Sequence, residues 1–268
     1  MADYELKPVQ FIIDNVLRAG LSAIAGGAGV GKTTALVPFF MLAAWLCSDD
    51  HPLKPELRRK VVYVTEDTEQ VTRIIESVIR SSDGRLTWDE VYEWFYVVPA
   101  KRHDIKEIAA KVDFFDRLNH KNGEFTTRPV IVIDTKSAAI AFKDENSNAE
   151  ASRTLAVLRD QFISRDISVV LVLHTPKTAN RKDVEGMTFR GADAQGADVQ
   201  QVMYLVKDDA DTDLRFLAIT GGTTKKRFEG EIDIAEVVFT PVKEHLVRIK
   251  APWGKTQTHQ LIHADVSV

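Results

Sequence analysis

Apolar and polar positions along the chain follow two different periods. Runs of consecutive apolar, mostly β-branched residues predict buried strands at 21–25, 61–65, 95–99, 130–134 and 169–174. Between these runs, apolar residues recur every three to four positions, which predicts helices at 32–47, 68–81, 104–120 and 149–165. Buried strands that alternate with helices are typical of a mostly parallel sheet covered on both faces. The pattern therefore predicts an α/β fold.

The pattern changes after the strand at 169–174. Residues 175–190 are polar and charged without a period, which predicts a long loop of the kind that is usually functional or disordered. Strand-like segments with short turns follow at 201–207, 214–220, 231–240 and 246–250, and we expect them to form an antiparallel addition to the sheet. We predict a single domain over residues 1–268, with a core at about 11–207 and an antiparallel extension at about 211–250.

Composition and charge narrow the class of protein. The chain is 44% hydrophobic and 28% charged, as in ordinary globular proteins. It has no apolar run near the roughly 20 residues that span a bilayer, and its first residues lack the features of a signal peptide. We therefore expect a cytoplasmic protein with no membrane partner. Cys47 is the single cysteine, which excludes a disulfide framework, and the net charge of −4 does not itself indicate nucleic-acid binding.

The strongest chemical signal is the segment GGAGVGKT at 26–33, a complete G-x-x-x-x-G-K-[ST] phosphate-binding loop (P-loop) between a predicted strand and a predicted helix. Its glycines let successive backbone N–H groups face one phosphate chain. Lys32 would reach the β- and γ-phosphates, and the Thr33 hydroxyl would bind Mg²⁺. The alternative is a glycine-rich turn with a solvated lysine. The predicted nucleotide-binding residues are Gly26, Gly27, Ala28, Gly29, Val30, Gly31, Lys32, Thr33 and Thr34.

Two acidic residues at predicted strand ends are candidates for the rest of the nucleotide site. Asp134 ends a buried strand and would hold Mg²⁺, although such a residue also caps turns. Thr135 follows it where many motor ATPases have a glutamate, so a general base must come from elsewhere. Glu66, at the end of the strand at 61–65, is the candidate base. The alternative is that Glu66 and Asp67 are charges at a helix N-terminus, a description that suits Asp67 better.

Further polar residues are candidates for sensing and completing the site. His174 ends the strand at 169–174, where it would bind the γ-phosphate and report it to the following loop, or serve only structure. Arg190, and the pair Lys225 and Arg227, are candidates for an arginine finger that acts in a neighbouring subunit. The alternative for these residues is a solvated charge cluster in a turn.

Together these motifs resemble the RecA-fold ATPases, and within them the plasmid RepA-type hexameric replicative helicases, from about Phe11 to Gly230. The segment 63–67, with sequence YVTED, is similar to the family's strand-ending Glu-Asp, whose glutamate is the catalytic base. Asp134-Thr135 matches its Walker B motif, and Asp144–Asn148 looks like its acidic, Asn-containing loop. Family members often have two adjacent histidines near position 174, where this chain has one.

The resemblance implies partners and further site residues. It implies ATP and Mg²⁺ as cofactors, a homo-oligomeric ring, specifically a hexamer, and single-stranded DNA as a partner. Arg190 falls where the family has an arginine that reaches the neighbour's ATP site, and Lys225 and Arg227 match a Lys-x-Arg pattern that acts in the same way. Loops near 138–148 and 175–190 would face the channel. In the second loop, the residues that would touch DNA phosphates are Lys177, Arg181 and Lys182.

Three functions compete at this point. The first is an ATP-driven ring motor on single-stranded DNA, a replicative-type helicase carried by a plasmid, a phage or a chromosome. The second is a RecA-like regulatory or recombination-accessory ATPase without unwinding activity, which the acidic net charge favours mildly. The third is a small-molecule kinase, which also uses a P-loop but does not usually place a glutamate base on a second strand.

Overall fold

The described part of the chain contains alternating strands and helices and then a run of strands. A computed structural model describes residues 10–14, 16–51, 53–100, 105–120, 127–140, 147–175, 199–207, 214–220, 233–234, 237–243 and 246–250. Its strands are β1 (Phe11–Ile13), β2 (Leu17–Arg18), β3 (Leu21–Gly26), β4 (Arg59–Thr65), β5 (Phe95–Pro99), β6 (Thr127–Asp134), β7 (Ser168–His174), β8 (Gln201–Lys207), β9 (Leu214–Thr220), β10 (Asp233–Ile234), β11 (Val237–Lys243) and β12 (Leu246–Lys250). Its helices are α1 (Lys32–Ala43), α2 (Thr68–Ser81), α3 (Trp88–Trp94), α4 (Ile105–His120), α5 (Lys136–Ala139), α6 (Asn148–Gln161) and a short 3₁₀ helix at Ile163–Arg165.

Within the described ranges, ten of these strands form one sheet in the order β10-β11-β12-β9-β8-β3-β7-β6-β4-β5. The six strands from β8 to β5 are parallel, and β9 to β12 add antiparallel strands beyond β8. The predicted α/β fold, a mostly parallel sheet with antiparallel strands at its C-terminal side, is confirmed. Strand β3, which leads into the segment at 26–33, lies between β8 and β7 and is the second of the six parallel strands.

One strand direction differs from the prediction. Strand β8 is parallel to β3, with Val202 opposite Ala23, so the prediction that 201–207 belongs to the antiparallel addition is wrong. Residues 175–200 are enough chain for the crossover that parallel strands need, because a parallel connection takes a dozen residues or more. The antiparallel part begins one strand later, at β9.

Two helices are shorter than the sequence predicts. Helix α1 ends at Ala43 rather than near 47, because Trp45 takes a left-handed conformation with φ of 57°. Its indole N–H then donates to the Pro55 carbonyl over 2.8 Å. Helix α6 ends at Gln161, and the following turn is the 3₁₀ helix. The β1–β2 hairpin and the short helices α3 and α5 are too brief for a periodic pattern to reveal.

Helices cover both faces of the parallel strands. Helices α1, α2 and α3 pack against one face through a core that includes Ile24, Tyr63 and Val132. Helices α4 and α6 pack against the other face through Ala25, Val64 and Ile133. Successive residues of one strand thus enter opposite cores, as the pleat requires.

Cys47, the single cysteine, lies beside the core. The residue is half-buried against the apolar core on the α1 side of the sheet. Burial raises the pKa of its thiol to about 12, so the thiol stays protonated and poorly nucleophilic near neutral pH. Among the described residues, no helix is both long enough and apolar enough to cross a membrane.

His51 makes the stability of this fold depend on pH. The residue is 5% exposed, its Nδ1 accepts the Leu53 N–H over 3.2 Å, and Nε2 has no hydrogen-bond partner within the described ranges. Burial lowers the His51 pKa from 6.5 to about 4. The neutral ring is favoured in the folded protein. The contribution of His51 to the free energy of unfolding is therefore fully present above pH 6.5 and is lost as the pH drops toward 4. We expect this residue to account for a loss of about 2 kcal/mol between pH 7 and pH 5.

The measurement is urea unfolding of the native protein and of His51→Asn at pH 7 and at pH 5. Asparagine keeps an acceptor for the Leu53 N–H but does not titrate. The variant should lose less stability than the native protein over this range, and contributions from other groups cancel in the comparison. An equal loss in both proteins would show that His51 is not the titrating group.

Candidate functional site

The P-loop connects β3 to α1 at the carboxyl end of the parallel strands. Gly29 and Gly31 have φ of 73° and 86°, in the left-handed region that favours glycine. A Cβ at Gly26 would lie 3.0 Å from Val30 Cγ1, which leaves no room for a larger residue without a shift. The loop leads directly into the N-terminus of α1, where backbone N–H groups and the helix dipole attract anions.

The Lys32 ammonium group lies inside this loop. Its Nζ donates to the carbonyl oxygens of Gly26 and Gly27, each over 3.1 Å, and lies 3.2 Å from Nδ1 of His174. An ammonium nitrogen can only donate, so Nδ1 of His174 is assigned as the acceptor. Lys32 is 8% exposed, and burial lowers its pKa while the nearby Asp134 carboxylate opposes that shift.

Asp134 accepts two hydroxyl hydrogen bonds on one oxygen. The Thr33 hydroxyl donates to Oδ2 over 2.9 Å, and the Tyr63 hydroxyl donates to the same atom over 2.7 Å. Thr33 is at the start of α1 and Tyr63 is on β4, so the carboxylate ties the P-loop helix to a strand on the far side of β6. The Thr33 hydroxyl and the Asp134 carboxylate both offer oxygen atoms as metal ligands. Mg²⁺ prefers oxygen ligands, so this pair fits the predicted metal site.

Tyr63 is a site residue that sequence reasoning missed. It is fully buried, and its ring stacks on Phe95 with 5.8 Å between centroids. Burial, with a smaller contribution from Asp134, raises the pKa of Tyr63 well above its ordinary value, so its hydroxyl remains a donor. The sequence does contain one sign of this role, a tyrosine inside the apolar run of a predicted strand. A buried tyrosine hydroxyl usually has a hydrogen-bond partner.

Glu66 and Asp67 follow β4 at the same edge of the sheet. Thr65, the last residue of β4, lies opposite Asp134 in the ladder between β4 and β6. Asp67 caps α2, because its carboxylate accepts the Gln70 N–H over 2.9 Å. This contact agrees with the helix-terminus description of Asp67. Glu66 is exposed beside Thr65.

Several predicted residues lie outside the described residues. These are Lys177, Arg181, Lys182, Arg190, Lys225 and Arg227, together with residues 144–146 of the acidic loop. The last described residue before Lys225 and Arg227 is Thr220, at the end of β9. Thr220 pairs with Val202 near the start of β8, so β9 ends at the edge of the sheet opposite the P-loop.

A P-loop after an interior strand of a parallel sheet, with a carboxylate at the end of a nearby strand, defines the P-loop nucleotide-binding class of proteins. The sequence matches the AAA_25 family, described as AAA domain, over residues 2–180, and the chain belongs to that family. The family and the sheet confirm the predicted RecA-like P-loop ATPase fold. The finer resemblance to RepA-type helicases stays a prediction.

The chain is similar to the structure titled "Crystal structure of the RadB recombinase", with 17% identity, a TM-score of 0.49, and coverage of 87% of this chain and 90% of that chain. At that distance the similarity carries no argument about function. The comparison with curated proteins found no match.

Proposed function

We propose that the protein is a Mg²⁺-dependent ATPase that works as a homo-oligomeric ring on single-stranded DNA, as replicative helicases do. The observation that carries the nucleotide part is the contact of Thr33 with Asp134 beside the buried Lys32. It brings the P-loop lysine and two oxygen donors for a metal to one edge of the sheet, and this is the set that phosphoryl transfer requires.

Different residues would bind the phosphates and the metal. Lys32 would exchange its contacts with the Gly26 and Gly27 carbonyls for the β- and γ-phosphate oxygens. Thr33 would release its hydrogen bond to Asp134, so that its hydroxyl oxygen and the carboxylate together hold the metal. Bound Mg²⁺ supplies neutralisation of phosphate charge.

Glu66 is our candidate for the general base. Its carboxylate would accept a proton from water as the water oxygen bonds to the γ-phosphorus and the bond from that phosphorus to the β–γ bridging oxygen breaks. Two observations support this proposal. Asp67 already has a capping partner, and Glu66 is exposed at the strand end next to Asp134.

The ring and its DNA partner rest on the resemblance. Strand β9 ends at Thr220, at the sheet edge opposite the P-loop. Thr220 is the last described residue before Lys225 and Arg227, our candidates for residues that act in a neighbouring subunit. His174 would sense the γ-phosphate at the start of the proposed DNA-contacting segment 175–190.

The test combines three measurements on the full chain. We expect ATP hydrolysis that single-stranded DNA stimulates, ring-sized particles by mass photometry with ATP and Mg²⁺, and strand displacement on a forked duplex. A monomer whose hydrolysis ignores DNA would overturn the motor proposal. Hydrolysis and assembly without displacement would instead favour the regulatory or recombination-accessory ATPase.

Tyr63→Phe should weaken metal binding without unfolding the protein. The change removes one of the two donors that orient the Asp134 carboxylate, and loss of such a supporting contact typically lowers metal affinity about 10- to 100-fold. The measurement is a Mg²⁺ titration of the complex with a fluorescent ATP analogue, alongside thermal unfolding.

Tyr96→Phe is the matched control for Tyr63→Phe. Tyr96 is on strand β5, away from Asp134, and its hydroxyl donates to the Glu93 carbonyl in α3. This variant should leave the Mg²⁺ requirement unchanged. If Tyr63→Phe binds Mg²⁺ as tightly as the native protein, the hydrogen bond to Asp134 does not orient the metal site.

A further inference from the structure

The P-loop contacts an arginine from the antiparallel part of the sheet. Arg215 lies on β9, separated from the P-loop strand β3 by one strand, β8. Its Nε donates to the carbonyl oxygen of Val30 over 2.9 Å, and the residue is 4% exposed. Arg215 also lies outside the segment 2–180 that matches the AAA domain family.

The partner carbonyl lies between two P-loop glycines in the left-handed region. Val30 stands between Gly29 and Gly31, which both have positive φ. A trans peptide unit is planar, and its C=O and N–H bonds point in opposite directions. A donor that fixes the Val30 carbonyl therefore also fixes the direction of the Gly31 N–H group.

We propose that Arg215 is a positioning residue for the nucleotide site: it holds the Val30 carbonyl so that the Gly31 N–H faces the phosphates. The inference rests on the proposed nucleotide binding and extends it to a strand that the family match does not include. Arginine suits this position because it remains charged even when buried, and its Nε–H has a fixed direction in the planar guanidinium group. Its buried positive charge would also add to the attraction for phosphate.

The experiment compares Arg215→Met with Arg59→Met, each as the full chain. Arg59 is the matched control. It is a buried arginine, 6% exposed, at the start of β4 and away from the P-loop, and it donates to the Arg128 carbonyl on β6. The readouts are affinity for ATP and ADP by fluorescent-analogue competition, hydrogen exchange of the backbone at residues 27–32, and thermal unfolding.

We expect Arg215→Met to weaken ATP and ADP binding about tenfold and to speed hydrogen exchange in the P-loop. The KM for ATP should rise while kcat changes little, because the loop binds ground state and transition state alike. Arg59→Met should lower the unfolding temperature without changing either affinity.

The outcomes separate the inference from the proposed function. Unchanged affinity and unchanged P-loop exchange in a folded Arg215→Met protein would overturn the role of Arg215 while the ATPase proposal stands. Failure of the native protein to bind ATP would overturn the ATPase proposal itself. If Arg215→Met does not fold, Arg215→Lys decides, because it keeps a cation but loses the planar donor. Native affinity and exchange in that variant would overturn the inference, and weaker affinity with faster P-loop exchange would support it.

Discussion

Replacing Lys32 with alanine is expected to weaken ATP binding by about 100-fold, because the variant loses a charged donor to two phosphate groups, worth up to about 3 kcal/mol. The measurement is stabilisation by ATP in thermal or urea unfolding. At an ATP concentration of 100 times the native Kd, the native protein should gain about 2.7 kcal/mol of unfolding free energy. The variant should gain about 0.4 kcal/mol under the same conditions.

Two further variants are controls for Lys32→Ala. One tests the loss of a buried lysine elsewhere, and the other tests the shape of the charged donor at position 32. Lys60→Ala removes a lysine that is also largely buried but that contacts the Tyr96 hydroxyl, away from the P-loop. It should keep the full stabilisation by ATP. Lys32→Arg keeps the charge but replaces a point donor with a planar fork, and it should bind ATP more weakly than the native protein. Native-like ATP stabilisation of Lys32→Ala would contradict the nucleotide site.

Glu66→Gln is expected to lower kcat for ATP hydrolysis by about 10²- to 10⁴-fold, which is the usual contribution of a general base. The affinity for ATP should change little, because glutamine has the same size and the P-loop contacts do not involve position 66. The measurement pairs steady-state hydrolysis with equilibrium binding of a fluorescent ATP analogue.

Asp67→Asn is the control for Glu66→Gln. Asparagine caps helices about as well as aspartate, so this variant should keep both the stability of α2 and the hydrolysis rate. Asp67→Ala should keep hydrolysis and lose about 1 kcal/mol of unfolding free energy with the cap. If hydrolysis falls in Asp67→Asn and not in Glu66→Gln, the two acidic residues have been assigned the wrong way round.

The parallel core could be predicted from sequence because its signals are local. The strand at 95–99 and the helix at 68–81 have the predicted bounds, since a buried run and a 3.6-residue period each leave a clear pattern. The P-loop is similarly local, because its glycines are required by the backbone of the loop itself.

What the sequence did not predict depends on contacts between distant segments. The direction of β8 is set by its parallel pairing with β3, a distant strand, and the periodicity of a single strand carries no signal for that pairing. Tyr63 and Arg215 contact the site across 71 and 185 positions of sequence, respectively. From the sequence, each is only a polar residue in a buried strand. The group that it contacts can be identified only when the order of the strands is known.

The contacts of Lys32 have a consequence for which nucleotides the site retains. The Gly26 and Gly27 carbonyls and the His174 ring accept hydrogen bonds from this ammonium group. We therefore expect the affinity for a nucleotide to depend on what Lys32 gains from the phosphates minus what it loses when it gives up these contacts. A nucleoside monophosphate would offer Lys32 one phosphate group in exchange for these contacts, so we expect it to bind more weakly than the corresponding triphosphate.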